Sequence, residues 1–282
     1  MRASLPFRFV VILGTNEIAS AVALQLRRDG YRVVLSHDPL IPVLRRKMAF
    51  HDALFDDAVM VEGMPARRAD TGLEIRTLEA PGVIITELGL LDLIVIQAID
   101  ILVDARMQKY SATPDLRRLA GLAIGLGPGF AGGINCDIAI ETQPGKAGLI
   151  VRQSEADPPD GLSQRLGDRG NERFVRAAFA GRWNSAIEIG TMVFKDFIIG
   201  HLRNVPVRAP FDGILRGVVR DGTEVPAGVK LLEIDPRRRR ANWTEADQRT
   251  RLIAAAVKEV ISAHQANVPA RTRTSSLHLV RK

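Results

Sequence analysis

The first half of the chain alternates continuous apolar runs with amphipathic stretches. The first run leads into a glycine turn, a helical pattern that ends near Gly30 and a second run. Apolar runs of this length, bounded by turn residues and separated by a helical period, indicate the buried strands of an α/β sheet. The runs lie at 7–13, 31–35, 83–85, 93–96 and 101–103. We therefore predict an α/β domain over residues 1–152.

The second half contains an internal repeat. The sequence Val-Arg-Ala-Ala-Phe-Ala-Gly at 175–181 recurs as Val-Arg-Ala-Pro-Phe-Asp-Gly at 207–213. Gly-Thr-Met-Val at 190–193 recurs as Gly-Thr-Glu-Val at 222–225, with the same offset of 32 residues. Each copy consists of short predicted strands separated by glycine turns, so two copies predict a small pseudo-symmetric β-barrel over residues 172–236.

The segments beside the repeat have different compositions. Residues 153–171 are polar and rich in proline and glycine, which indicates a connecting loop. Residues 237–264 are predicted to form a basic segment and a C-terminal amphipathic helix, which opens with a capping box, Thr244-Glu-Ala-Asp247. Its expected apolar face comprises Leu252, Ala255, Ala256, Val260 and Ile261. Residues 265–282 lack periodicity and are predicted to be a disordered tail.

The repeat resembles the biotinyl/lipoyl-type barrel-sandwich hybrid domain, in which Ala-Pro-x-x-Gly and Gly-x-x-Val segments occur once per half. In that domain a lysine on the hairpin between the halves carries the cofactor. The corresponding segment here, Gly200-His-Leu-Arg-Asn-Val-Pro206, has no lysine. We therefore predict a lipoyl-like barrel without covalent biotin or lipoate, which acts as a scaffold or docking surface rather than a swinging-arm carrier.

The turn after the first predicted strand is the first candidate ligand site. Its strand, turn, helix, strand spacing is that of a Rossmann-like opening. Gly14 can form the tight turn, but Asn16 stands where a second glycine would let a pyrophosphate approach the backbone, and Ala19 replaces the third. Asp38 follows the second strand, where an acid can bind a ribose. The turn is either a dinucleotide site or part of the same fold without the cofactor.

Charged residues follow two of the predicted elements. Arg45 and Arg46 begin a predicted helix, where they either face solvent or bind an anionic ligand. Asp104, Arg106 and Lys109 come at the end of the strand at 101–103. Ligands of open α/β sheets bind beyond the carboxyl ends of the strands.

A glycine-rich segment at 122–133 has five glycines in the nine positions from Gly125. Such density lets backbone N–H groups converge on an anion or allows close chain approach. The candidate ligand-binding residues here are Gly125, Gly127, Gly129, Asn135, Glu141 and Thr142. We predict that this segment and the arginines at 45, 46 and 106 line one cleft. Cys136 is predicted to be a packed thiol, and no metal site is evident.

Composition narrows the class of protein. The apolar fraction of 46% and charged fraction of 25% are ordinary for a globular protein. A single cysteine excludes an internal disulfide framework, and no signal peptide or transmembrane run is evident, so we expect a cytoplasmic protein without a membrane partner. Residues 237–282 carry 11 Lys/Arg and 3 Asp/Glu, which exceeds the net charge of +7. With Trp243 as its only aromatic residue, this segment is interpreted as a solvated charge run rather than a nucleic-acid site, and an acidic protein partner is the intermediate interpretation.

Several stretches together resemble the selenium-dependent molybdenum hydroxylase accessory proteins, a molybdenum-cofactor biosynthesis family. The Gly-Leu-Gly-Pro-Gly-Phe block is the most specific of them. The matching segments are 14–21, 44–50, 61–63, 102–106, 124–130, 139–142 and 207–213 with its continuation to 237. Asn16, Glu17 and His37 depart from the usual Gly-x-Gly-Asp-Leu-Ala opening and from the acid that follows it.

The resemblance implies a maturation or cofactor-insertion role beside a molybdenum- or pterin-dependent client enzyme. The expected ligand is a nucleotide or a molybdopterin-type anion bound at the glycine-rich loops. The alternatives are an NAD(P)- or nucleotide-dependent enzyme that uses the Gly14 turn, and a non-catalytic assembly protein. The residues show no general acid or base, activated nucleophile or metal cluster, so binding is expected rather than catalysis. The oligomeric state is left open, with a homo-oligomer as one alternative.

Overall fold

Seven parallel strands form the centre of a nine-stranded sheet. A computed structural model describes residues 9–55, 58–78, 81–108 and 113–267. The sheet order is β3-β4-β5-β2-β1-β6-β7-β8-β9; strands β4 to β8 in this order are parallel, and β3 and β9 pair antiparallel at the two edges. The strands are β1 (Phe9–Leu13), β2 (Arg32–Ser36), β3 (Val59–Val61), β4 (Met64–Arg68), β5 (Val83–Thr86), β6 (Ile101–Asp104), β7 (Leu122–Leu126), β8 (Ile138–Ile140) and β9 (Ile150–Val151).

Helices cover both faces of this sheet, which explains why its central strands are apolar throughout. Side chains of β1 alternate between the faces: Val10 and Ile12 pack against α1 (Glu17–Arg28) and α4 (Gln248–Asn267). Phe9, Val11 and Leu13 pack on the opposite face with α2 (Gly72–Thr77) and α3 (Leu90–Ile96). The predicted C-terminal helix therefore completes the core of the first sheet.

The run at 93–96, predicted as a strand, lies in α3 instead. Asp92 Oδ2 accepts a hydrogen bond from Gly89 N at 2.9 Å and stabilises the first turn of this helix. Leu93 is buried, whereas Val95 is exposed, so the four apolar residues do not share a buried strand environment. The prediction failed because a short apolar run has no period that separates a strand from a helix.

The start and the apolar face of α4 also differ from the prediction. The helix begins at Gln248, and Asp247 Oδ1 accepts a hydrogen bond from Thr250 N at 2.9 Å, so Asp247 is the N-cap rather than Thr244. Leu252 and Ala255 are exposed. The buried residues are Thr250, Ile253, Ala254, Ala256, Val257, Val260 and Ile261. The helix continues to Asn267, and the rest of the predicted tail lies outside the described residues.

The repeat folds into two four-stranded antiparallel sheets, which we call the sandwich. The sheet orders are β10-β17-β15-β12 and β14-β13-β11-β16, and the described strands do not close into a barrel. The strands are β10 (Phe174–Arg176), β11 (Gly181–Asn184), β12 (Met192–Val193), β13 (Ile198–Leu202), β14 (Val205–Arg208), β15 (Gly213–Val218), β16 (Glu224–Val225) and β17 (Lys230–Asp235). Trp183, Leu215 and Leu232 are buried between the sheets.

The two copies of the repeat interleave in the sandwich. The first copy supplies β10 to β13 and the second supplies β14 to β17, and each sheet contains two strands from each copy. The copies meet at the β13–β14 hairpin, whose turn consists of Arg203, in the left-handed region at φ +53°, and Asn204. The internal repeat of the sequence is therefore an internal repeat of the structure.

None of the helices in the described ranges combines the length and apolar character needed to cross a membrane.

Candidate functional site

A cleft of about 240 Å³ lies at the carboxyl ends of the parallel strands. Residues that follow β1, β2, β6, β7 and β8 line it, together with loop residues between 159 and 166, the first residues of α4 and part of the sandwich. Of the predicted site residues, those that line the cleft are Gly14, Asn16, Asp38, Arg45, Arg106 and Thr142. The cleft therefore brings together residues that are widely separated in the sequence.

The Gly14 turn connects β1 to α1 at the edge of the cleft. Gly14 has φ +104°, and a Cβ atom there would lie 3.0 Å from Ala105 O, so the turn requires glycine. Asn16 is the N-cap of α1: its Oδ1 accepts hydrogen bonds from Ile18 N at 2.9 Å and Ala19 N at 3.1 Å, and its Nδ2 donates to Ala105 O at 2.7 Å. Ala19 is buried in the core and does not line the cleft.

Asp38 and Arg106 follow β2 and β6, the two strands that lie on either side of β1. Asp38 Oδ2 accepts a hydrogen bond from Gln108 Nε2 at 2.5 Å. Arg106 Nη2 lies 2.6 Å from Oδ2 of the buried Asp104, and this hydrogen bond raises the pKa of Arg106. Asp104 thus serves as the partner of a cleft residue. Lys109 lies outside the described residues.

The glycines of the 122–133 segment permit close packing. A Cβ atom on Gly125 would lie 2.1 Å from the Phe130 ring, and one on Gly127 would lie 2.5 Å from Thr142 Oγ1. Gly129 has φ +86°, and its carbonyl oxygen accepts a hydrogen bond from Asn135 Nδ2 at 2.8 Å. Pro128 is the residue of this loop that lines the cleft. The glycines whose backbone N–H groups were predicted to bind an anion therefore do not line the cleft.

Glu141 stabilises the backbone at the end of β8 through hydrogen bonds. It is buried, and its carboxylate accepts hydrogen bonds from the backbone N–H groups of Thr142, Gln143 and Asp157. Thr142 lines the cleft, and its carbonyl oxygen accepts a hydrogen bond from Arg249 Nε at 2.7 Å. Glu141 is thus a structural residue, whereas Thr142 faces the ligand space.

The two neighbouring arginines point in different directions. Arg45 is buried and lies between Glu233 Oε2 at 2.8 Å and Glu17 Oε1 at 3.0 Å. Arg46 pairs with Asp52 at 2.6 Å, donates to Val218 O at 2.9 Å and does not line the cleft. Of the groups predicted to line one cleft, Arg45 and Arg106 do so, whereas Arg46 and the glycines of 125–133 do not.

Four further cations line the cleft that the sequence did not single out: Arg173, Arg216, Lys230 and Arg249. Arg173 and Arg216 join Arg45 around Glu233, with Nε–Oε1 at 2.8 Å and Nη1–Oε1 at 3.1 Å. Burial alone would raise the pKa of Glu233, but the arginines, Arg45 foremost, hold it well below its ordinary value. Charged residues inside the apolar strands β15 and β17 were the available signal for this buried network.

Arg249 differs from the other arginines of the cleft. Arg45, Arg106, Arg173 and Arg216 each pair with a carboxylate. Arg249 is partly buried and donates through Nε to Thr142 O, but it forms no ion pair with any residue in the described ranges. Burial lowers its pKa, because nearby acids offset only part of the cost of desolvation. Among the described residues that line the cleft, six are Lys or Arg and four are Asp or Glu, so positive charges exceed negative charges by two.

A pair of histidines lies behind Thr15, which lines the cleft. Thr15 Oγ1 is 2.9 Å from Nδ1 of the buried His51 and 3.4 Å from Nδ1 of His37. Burial is the largest cause that lowers the pKa of His51, and together with the neighbouring His37, Arg46 and Arg220 it brings this pKa to about 3. His51 is therefore neutral at pH 7, and sequence reasoning did not identify this cluster.

Cys136 has no direct part in the cleft. Cys136 is buried, and burial raises the pKa of its thiol to about 12, which agrees with a packed and unreactive residue. Within the described ranges, no group of three or more His, Cys, Asp or Glu side chains is arranged to hold a metal ion.

No protein-family model matches the chain. The chain is similar to the uncharacterized protein YqeB of Escherichia coli strain K12, with 32% identity over 263 residues. The match covers 90% of this chain and 47% of YqeB, so the chain spans about half the length of this curated relative.

Proposed function

We propose that this protein is an accessory factor of a molybdenum- or pterin-dependent enzyme system and that it binds an anionic ligand in the cleft. The observation that carries the binding role is Arg249, a partly buried guanidinium without an acidic partner among the described residues, in a cleft at the carboxyl end of a parallel sheet. The accessory role rests on the resemblance of the sequence to the molybdenum hydroxylase accessory proteins.

We further propose that the α/β domain is Rossmann-like and that the sandwich is of the barrel-sandwich hybrid type. In support, six of the seven parallel strands have the order β5-β2-β1-β6-β7-β8, which corresponds to 3-2-1-4-5-6 when these six are numbered along the chain, and β4 is an additional parallel strand beyond β5. The cleft lies next to β1, where the strand order reverses. The interleaved repeats of the sandwich support the second assignment.

The ligand is a nucleotide or a molybdopterin-type compound, which the protein carries as cargo. The side chains of the cleft suit a molecule with an anionic group and an apolar or planar body. Arg249 supplies a positive charge that forms no ion pair with any described residue, and Phe174, Leu162 and Met107 supply apolar surface. Asp38 can accept hydrogen bonds from ligand hydroxyl or amino groups.

The accessory role predicts that deletion of the gene in its native host lowers the activity of a client enzyme while the amount of client polypeptide stays roughly unchanged. Enzyme activity and immunoblots of the same extracts measure both quantities. Native mass spectrometry of the purified protein identifies the cargo. Unchanged activity of every molybdenum- or pterin-dependent enzyme in the deletion strain would refute the accessory role.

A nucleotide-dependent enzyme is the second candidate, because Gly14 and Asp38 line the same cleft. Asn16 argues against a bound pyrophosphate. Its side chain already accepts hydrogen bonds from the backbone N–H groups at the start of α1 to which a phosphate would bind. NAD(P)-dependent turnover by the purified protein, lost in Gly14→Ala, would favour the enzyme. An assembly protein without a ligand would instead bind the client and carry no small molecule.

A further inference from the structure

The first turn of α1, where a β-α-β unit commonly binds phosphate, is already occupied by its own chain. Asn16 Oδ1 accepts from Ile18 N and Ala19 N, and Asn16 O accepts from Ser20 N at 2.9 Å. Glu17 adds a negative charge at the first helical position. An anion in this cleft therefore has little to gain from the helix terminus and requires another binding group.

Arg249 is placed to be that group. It is the second residue of α4, its Nε is fixed to Thr142 O at the end of β8, and it lines the cleft. With Nε fixed, the Nη1 and Nη2 donors have no hydrogen-bond partner in the described residues. A guanidinium held in one orientation presents two parallel N–H donors, which match two oxygens of a carboxylate or phosphate.

We propose that Arg249 is the anion-binding residue of the cleft and that its ligand is a small organic oxyanion, a phosphate monoester or a carboxylate attached to an apolar or planar body. This inference rests on the ligand-binding part of the proposed function and not on the accessory role. The terminal oxyanion pairs with Arg249, and the body of the ligand lies against apolar side chains of the cleft such as Leu162 and Phe174.

The charge balance favours a single anionic end group over a pyrophosphate bridge. Arg45, Arg173 and Arg216 are committed to Glu233, and Arg106 to Asp104. The ammonium group of Lys230 lies over the Phe174 ring, 3.5 Å from its centroid. A ligand with many negative charges would have to displace these buried pairs, which is costly because it leaves a carboxylate without a partner. One oxyanion at Arg249 compensates the uncommitted charge without breaking any of them.

The test uses the purified protein with AMP as a phosphate monoester, benzoate as a planar carboxylate, adenosine as a neutral body and NAD as a pyrophosphate. Binding is measured by titration calorimetry and by the shift in Tm. Arg249→Gln is compared with Arg251→Gln, a control on the same helix whose side chain is exposed and pairs with Glu245 outside the cleft. Arg249→Lys keeps the charge but loses the paired donors.

We expect AMP or benzoate to bind the wild type and Arg251→Gln more tightly than adenosine and NAD do. Affinity falls roughly ten- to a hundredfold in Arg249→Gln, as expected for the loss of hydrogen bonds to a charged group. Arg249→Lys lies between the two. Without ligand, Arg249→Gln retains the Tm of the wild type or exceeds it, because removal of a partly buried cation without an ion pair offsets the loss of the hydrogen bond to Thr142 O.

Three results would overturn the inference. These are equal affinity of AMP or benzoate for the wild type and Arg249→Gln, preference for NAD over both oxyanions, and no binding of either oxyanion at millimolar concentration. A lower Tm of unliganded Arg249→Gln with unchanged affinity would assign Arg249 a purely structural role. The deletion experiment tests the accessory role separately, so the two proposals can fail independently.

Discussion

Arg45 donates from Nε and Nη2 to the two carboxylate oxygens of Glu233, at 2.8 and 3.2 Å, and thereby joins the α/β domain to the sandwich. Both side chains are buried, and 188 residues separate them in the sequence. Asp247 at the start of α4 also lies 3.6 Å from Arg45. The pair thus connects the loop after β2, the strand β17 and the C-terminal helix at one wall of the cleft.

Replacement of Glu233 by Gln should destabilise the protein strongly. The substitution leaves Arg45, Arg173 and Arg216 around a neutral amide, and an uncompensated buried charge typically costs about 3–5 kcal/mol. Urea unfolding measures the loss. Asp212→Asn, which removes a partner of the exposed Arg238, is the control and should change the free energy of unfolding by less than about 1 kcal/mol. A loss of similar size in both variants would contradict the prediction.

The ion pairs of Glu233 with the three arginines should lose their stabilising effect only in strong acid. Because the folded-state pKa of Glu233 is lower than its unfolded value of about 4.3, its contribution to stability is fully present above that pH. It is lost as the pH falls from about 4.3 through the folded-state pKa. The stability of Glu233→Gln should consequently depend less on pH below 4.3 than that of the wild type.

His51 should give a second pH dependence in a different range. Its folded-state pKa of about 3 lies below the unfolded value of about 6.5, so the unfolded chain binds more protons between these values. The free energy of unfolding should fall by up to about 1.4 kcal/mol per unit as the pH drops below 6.5. His51→Gln should remove most of this slope and leave the part due to His37, whose pKa burial also lowers. An unchanged slope in the variant would exclude His51 as its source.

Asn16 should stabilise the first helix mainly through its cap. Asn16→Ala removes the acceptor for Ile18 N and Ala19 N and should cost about 0.5–2 kcal/mol in thermal or urea unfolding. Asn16→Asp keeps an acceptor but loses the donation to Ala105 O, and should cost less. If the aspartate variant were as unstable as the alanine variant, the bond to Ala105 rather than the cap would be the important interaction.

Cys136 should react with a thiol reagent only after unfolding. Burial removes it from solvent, and the raised pKa of about 12 keeps it protonated at pH 8. Ellman's reagent should label it slowly in native buffer and completely in concentrated urea. Stoichiometric labelling of the native protein on mixing would show that this part of the fold opens readily.

The sequence was most informative where a local pattern repeats. The run at 7–13 and Gly14 predicted the first strand and the turn, and the 32-residue offset predicted a pseudo-symmetric β unit. The strand ends also predicted where Asp38 and Arg106 would lie. These features depend on neighbours in the chain, on which periodicity and turn preferences act directly.

The remaining features depend on contacts between distant segments. The basic segment that contains Arg249 resembled a solvated charge run, and only the packing of α4 beside β8 brings this arginine to Thr142. The pairing of Glu233 with Arg45 likewise requires the sandwich to meet the loop after β2. For α4, a shift of one residue in the periodicity was enough to exchange Leu252 for Ile253 in the core. Local sequence patterns do not predict such contacts between distant segments.

The return of α4 to the first sheet determines when the protein can fold. Lys258 Nζ lies 2.9 Å from Asp29 Oδ1, and Ile253, Val257 and Ile261 fill the same core as α1. During synthesis, the apolar surface of α1 and the adjoining sheet stays exposed until α4, which is made more than 200 residues later, can cover it. The sandwich, whose contacts lie within about 60 residues, can form while that surface is still exposed. We therefore expect the sandwich to fold first on the ribosome, and the N-terminal domain to depend on chaperones until α4 emerges.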